Sequence, residues 1–193
     1  MSNISMTTSK RNAIVTVMLI SAFVSMLNQT ILNTALPAII KGLNITETTA
    51  QWLITGFMLV NGIMIPLTAF LMDKYSTRHL YIFSMAIFLL GSIVAAFSPT
   101  FSILMISRII QAIGAGILLP LMQFTVFTLF PAEQRGFAMG LAGVVVQSAP
   151  AIGPTLTGLF VDLFSWRMPF YLVSAIAAVV FILGFFFVEN NTK

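Results

Sequence analysis

One arginine, Arg108, stands alone inside the apolar segment that runs from Ile103 to Pro120. An ionised side chain in hydrocarbon is costly, so it either faces a protein or water-filled interior or snorkels its head to the nearer interface. Both readings are open for Arg108, which lies about two helical turns inside its segment. Ala112 and Gly116 follow at four-residue steps and give it a small-residue face, which points inward to neighbouring helices. Gln111, one turn on, adds an amide, and the pair could hold a carbonyl, a carboxylate or a chain of waters. Glu47, Asp73, Glu133, Asp162 and Glu189 all fall in loops or at the ends of apolar runs. The partner of Arg108 must therefore be an amide, a backbone carbonyl, water, a substrate anion or a group on another chain.

Further polar residues recur with helical spacing. Ser21, Ser25, Gln29 and Asn33 repeat every four residues with Asn28 among them, a polar stripe along one helix that can line a pathway or bond helix to helix. Ala149, Gly153 and Thr157 form a small-residue face on another segment, which Pro150 and Pro154 would bend. Such a bent, close-packed helix suits a rocking element. Asp73 and Arg78 stand five residues apart in a short charged stretch, where they could close a charge latch at a membrane surface.

These residues sit in a membrane protein. Hydrophobic residues make up 59% of the chain, charged residues 7%, and the mean hydropathy is +1.03; a soluble domain carries about 25% charged residues. Six apolar runs, at 13–37, 51–72, 80–98, 102–129, 137–162 and 168–188, are long enough to span a bilayer, which takes about 20 residues each. The connections 41–50, 73–79, 98–100, 131–135 and 164–167 read as short loops. Lys10, Arg11, Lys74, Arg78, Arg135 and Lys193 gather on one side against Lys41 and Arg167 on the other, which predicts both termini in the cytoplasm of a cell (inner) membrane. Trp52 and Trp166 then fall at the outer interface. The spans divide into 13–98 and 102–188, flanked by tails 1–12 and 189–193. Spans one, two, four and five carry Pro37, Pro66, Pro120 and Pro154, spans three and six carry no proline, and Tyr81-Ile-Phe-Ser84 matches Tyr171-Leu-Val-Ser174. The expected fold is therefore an all-α integral membrane bundle of two inverted three-helix repeats, a transporter architecture. The chain has no cysteine, and its one histidine, His79, falls in a loop. No enzyme chemistry, metal or cofactor is expected. The net charge of +4 comes from cations scattered singly, which is not a nucleic-acid signal.

Taken together, several segments resemble the major facilitator superfamily. The stretch from Pro66 to Arg78 is similar to its signature between spans two and three: Asp73 and Arg78 match, while Ala69, Ser76 and Thr77 replace the usual Gly, Gly and Arg. Arg108-Ile-Ile-Gln111-Ala-Ile-Gly114 resembles the fourth-span signature, with Ala112 for Gly. Gly153-Pro154-Thr-Leu-Thr157-Gly158 resembles the fifth-span antiporter signature, with Thr157 for Gly. Leu27 to Pro37 resembles the first span of fourteen-span drug:proton antiporters of the lincomycin-resistance type. The resemblance covers the amino-terminal six-helix half of such a protein. It implies export of a small hydrophobic or cationic drug-like substrate, driven by protons. Asn28, Gln29, Asn33, Arg108 and Gln111 would line the pathway. Asp73 and Arg78 would gate the cytoplasmic side, and Gly153, Pro154 and Gly158 would form the hinge. Many relatives carry an acid where this chain has Asn28, and an amide cannot carry a proton.

A half of this kind is expected to pair with a second half or a second copy, because its polar pathway residues would otherwise face lipid. The rival reading is a truncated, non-transporting membrane protein that associates with a full-length transporter. The predicted topology is checked by placing single cysteines at Thr46 and Ser76 and adding an impermeant thiol reagent to intact cells. Thr46→Cys should label and Ser76→Cys should not; the reverse pattern would invert the arrangement.

Overall fold

The computed structural model describes residues 6–188. The tail 189–193 lies outside the described residues. Six helices follow one another: α1 (Thr8–Leu43), α2 (Glu47–Lys74), α3 (Thr77–Ala96), α4 (Phe101–Leu129), α5 (Ala132–Leu163) and α6 (Met168–Phe187). All six are long and apolar enough to cross a membrane.

The helices outrun the apolar runs that announce them. The loop expected at 41–50 shrinks to Asn44–Thr46, that at 73–79 to Tyr75 and Ser76, and residues 132–135 form the first turn of α5. Residues 8–12, expected in a tail, belong to α1. The reason is local: hydropathy marks the stretch that lies in lipid, whereas a helix ends where its backbone groups find caps. Asn44 adopts the left-handed conformation (φ 51°), and the Ile45 amide reaches back to the Ile40 carbonyl at 3.1 Å, closing α1. The side chains of Thr46, Ser76 and Thr100 accept from the amides of Thr49, His79 and Ile103, which opens α2, α3 and α4.

Packing follows a two-fold pattern. α2 lies on α4 as α5 lies on α1, α3 lies on α4 as α6 lies on α1, and the α1–α4 and α3–α6 pairs sit on the axis. Exchanging α1 with α4, α2 with α5 and α3 with α6 therefore reproduces the bundle, as two inverted repeats require. α1, α3 and α4 are the most buried. α2, α5 and α6 expose Leu59, Ile63, Phe70, Val144, Leu159, Val179 and Phe186, surface that suits hydrocarbon rather than water.

Two arginines express the same symmetry. Arg78, in the first turn of α3, donates from Nη2 to the Phe185 carbonyl in the last turn of α6 at 3.1 Å and lies over the Phe185 ring. Arg167, just before α6, donates from Nη2 to the Ser98 carbonyl just after α3 at 2.6 Å and stacks on Trp166. Arg78 meets a carbonyl of the last turn of α6 that has no intrahelical partner, Arg167 meets one just past the end of α3, and each cation lies at the negative end of a helix dipole. Trp166 is buried in this corner against Gly42 and Phe170, while Trp52 is exposed.

Replacing Arg167 by alanine should destabilise the bundle by about 1.5–3 kcal/mol, the scale of a charged-group hydrogen bond, and Arg78→Ala by less because its bond is solvent-exposed. Equilibrium unfolding in detergent measures both.

Candidate functional site

The polar residues of α1 and α4 meet where the two helices cross. Asn28 and Gln111 are fully buried and bond reciprocally: Asn28 Nδ2 to Gln111 Oε1, and Gln111 Nε2 to Asn28 Oδ1, each 3.4 Å. They are 83 residues apart, the separation that also relates Pro37 to Pro120. The amide pair is thus a contact between equivalent positions of the two repeats. Gln111 Nε2 also donates to Ser92 Oγ on α3 at 3.1 Å, and its Oε1 accepts from Arg108 Nη1 at 3.0 Å.

Arg108 is 1% exposed, so burial rather than snorkelling describes it. Its guanidinium lies over the Phe57 ring of α2, 4.1 Å from the centroid, an electrostatic contact that gains strength away from water. Its Nε has no hydrogen-bond partner among the described residues. The room for Gln111 comes from glycine. A Cβ on Gly91 would stand 2.7 Å from Gln111 Cγ and 2.8 Å from its backbone nitrogen, so α3 approaches α4 closely only because position 91 has none.

Arg108 borders a cavity of about 120 Å³ formed with Gln29, Thr30 and Asn33 of α1, Ile54, Phe57 and Met58 of α2, and Pro150 of α5. A second cavity, of about 190 Å³, lies between α1, α4 and α5 and shares Met26 with the first. Gln29 is half-buried and Asn33 exposed, so these two face outward while Asn28, Arg108 and Gln111 are covered within this chain. This corrects the expectation that all five lie open on one face: the α1 stripe serves several directions. Ser21 bonds Tyr81 of α3 at 2.8 Å, Asn28 bonds α4, and Gln29 and Asn33 border the cavity.

On α5, Ala149, Gly153 and Thr157 are buried, and a Cβ on Gly153 would collide with the Thr30 side chain of α1. The close approach lies beside the cavity, which Thr30 and Pro150 both border. Pro154 is exposed, and Gly158 has nothing near it that a Cβ would meet. Pro120 on α4 leaves the Gly116 carbonyl without its intrahelical donor, and the Thr68 hydroxyl of α2, 2.7 Å from the Met64 carbonyl, is shared with it at 3.2 Å.

The charge latch has another geometry. Asp73 is exposed, Arg78 reaches α6, and among the described residues no Asp73–Arg78 ion pair forms.

Comparison with known proteins decides the class. Residues 18–193 match the Major Facilitator Superfamily. The chain belongs to that superfamily. It is 52% identical over 94% of its length to the MFS-type transporter YcnB of Bacillus subtilis, and 41% identical over 91% to the lincomycin resistance protein LmrB of the same organism. It spans 39% and 37% of those two relatives. Its fold is that of a bacterial homologue of the human lysosomal transporter Spinster, solved inward-facing and unoccupied (TM-score 0.83, 15% identity, 97% of this chain and 45% of that one). This facilitator chain is a multi-pass membrane protein with its polar site between the two repeats.

Ser92 and Phe57 complete the site, and sequence reasoning did not single them out. The small pair Gly91-Ser92 inside an otherwise bulky apolar span was the available signal for the first; Phe57 carries none, since aromatic residues abound in membrane helices.

Asn28→Leu and Gln111→Leu should each destabilise the bundle, by about 1–3 kcal/mol for a stranded buried polar group, with Gln111→Leu the worse because it also strips Arg108 and Ser92. In a double-mutant cycle read by thermal unfolding, the double variant should lose less than the sum.

Proposed function

We propose that this chain forms one half of a small-molecule exporter that works by alternating access, with proton antiport as the driving process. It lies in the bacterial cell membrane with both termini cytoplasmic. The observation that carries the reading is Arg108, held by Gln111 and Phe57 and bordering a cavity that opens between α1, α2 and α5. The resistance and multidrug names of several relatives point the same way.

The roles follow from chemistry. Arg108, Gln29 and Asn33 border the pathway and present donors to the substrate, while Gln111, held by Asn28, positions Arg108 from behind. The segment of α5 with Pro150 and Pro154, seated against Thr30 through Gly153, is the hinge about which α5 shifts against α1. Asp73 and Arg78 gate the cytoplasmic end, where Arg78 holds α3 to α6 and Asp73 is exposed for a partner. Asn28 and Gln111 cannot carry a proton, so the coupling carboxylate comes from a second half, on the same or another chain, which also covers Gln29 and Asn33. A gate and a hinge move productively only against such a partner.

Reconstitution with an imposed proton gradient tests this. Liposomes holding the assembled transporter should extrude a fluorescent substrate dye. Arg108→Ala should abolish efflux while inserting normally, and Arg108→Lys should remain poor because an ammonium lacks the planar fork. Normal efflux by Arg108→Ala would overturn the pathway role; proton-driven efflux by a demonstrably monomeric, partner-free chain would overturn the half-transporter reading.

A further inference from the structure

A third cavity, of about 440 Å³, lies apart from the pathway, in the wedge between the end of α2 and the start of α3. Leu71, Tyr75, His79, Leu80 and Phe83 line it, whereas neither pathway cavity is lined by α3. The wedge has a packing cause. α2 and α3 follow one another across a two-residue turn, yet each leans on α4 and hardly on the other, so they diverge. Its volume is within the range of ligand sites, about 300–1,000 Å³.

The wedge is polar at its mouth and apolar at depth. Tyr75 and His79 stand at the helix ends, and Leu71 and Phe83 follow one turn further in, about 6 Å along the helix axes. Tyr75, His79 and Phe83 are exposed, so the wedge opens to its surroundings. His79 Nδ1 lies 2.6 Å from Ser76 Oγ, which also accepts from the His79 amide. With the Ser76 hydroxyl donating to Nδ1, the ring proton sits on Nε2, a donor for a ligand at the mouth. Lys74 and Arg78 flank the turn. Lys74 is exposed, its ammonium 4.3 Å from the centre of the Phe70 ring, and Arg78 keeps its charge while bonding the Phe185 carbonyl. Asp73 offsets one of these two cations and leaves the turn net positive.

We propose that this wedge holds an anionic phospholipid: one acyl chain lies against Leu71, Leu80 and Phe83, and the phosphate sits at the mouth between His79 and Lys74. A positive, donor-bearing rim above an apolar cleft at a membrane surface matches that ligand in both charge and depth. The lipid belongs to the leaflet that meets these helix ends, the cytoplasmic one in the orientation proposed above. It bridges the two helices where they pack least on each other. The assignment is independent of export, so its failure and that of the transporter reading are separate results.

Quenching by brominated lipids tests it. The chain carrying Phe83→Trp is placed in phosphatidylcholine nanodiscs that contain increasing shares of a phospholipid brominated on its acyl chains. The unaltered chain, with Trp52 and Trp166, supplies the background. Brominated phosphatidylglycerol should quench the new tryptophan at about a fivefold lower share than brominated phosphatidylcholine, the scale of one cation acting on one anionic headgroup. Lys74→Gln combined with His79→Leu, both at exposed positions where folding is not at stake, should bring the two lipids level. A tryptophan placed instead at Leu90, exposed farther along α3 and outside the wedge, should show no preference. Equal quenching by the two lipids at Phe83→Trp would overturn the proposal. So would a preference that survives the loss of Lys74 and His79, or one of the same size at Leu90→Trp. Protection of Phe83→Trp from both brominated lipids would mean that a protein segment fills the wedge, and would overturn it too.

Discussion

A guanidinium kept inside an apolar bundle constrains everything near it. Arg108 is buried there, and no carboxylate among the described residues neutralises it, so its charge is spread over an amide oxygen and an aromatic face. Gln111 can accept from Arg108 only if it is itself held, and it is held by Asn28 and Ser92. Those partners come from α1 and α3, so one ionic requirement fixes the relative placement of three helices around α4. The absence of a Cβ at Gly91 lets α3 come near enough to complete the set. A buried network of this kind rigidifies because each member would be left unsatisfied by the loss of its neighbour.

The same arrangement lies on the pseudo-two-fold relation between the repeats. Asn28 and Gln111 occupy equivalent positions and reach across to one another, so the repeats touch through matching amides at the centre of the bundle. At the ends, Arg78 and Arg167 tie α3 and α6 to each other from opposite sides. The bundle is thus held by hydrogen bonds at its centre and at both membrane surfaces, and by van der Waals packing between, as expected where lipid gives helices no hydrophobic reason to associate. α5 has the freest face, followed equally by α2 and α6, and α2 and α5 flank the cavity.

Much of this was written in the chain. Six apolar runs, short connections and the twofold placement of proline determined a six-helix membrane bundle, because lipid permits few other ways to satisfy a backbone. Arg108 and Gln111 were legible for a related reason: polar groups inside such runs are too costly to be incidental. Helical periodicity likewise announced the Ala149–Gly153–Thr157 face, which depends only on spacing along one helix.

What the sequence could not decide was which partner each group takes, since that depends on contacts between residues far apart in the chain. The polar stripe of α1 looked like one surface, yet packing sends Ser21 to Tyr81, Asn28 to Gln111, and Gln29 and Asn33 to the cavity. Asp73 and Arg78 looked like a latch because they are near in sequence, but the carbonyls at the end of α6 lie within reach of Arg78 and attract it instead. Burial of Arg108 rather than snorkelling needed Phe57 from α2 and Gln111 in the right rotamer. Periodicity and cost of transfer identify the helices and the exceptional residues in them; only the crossing of α1, α3 and α4 determines how those residues are satisfied.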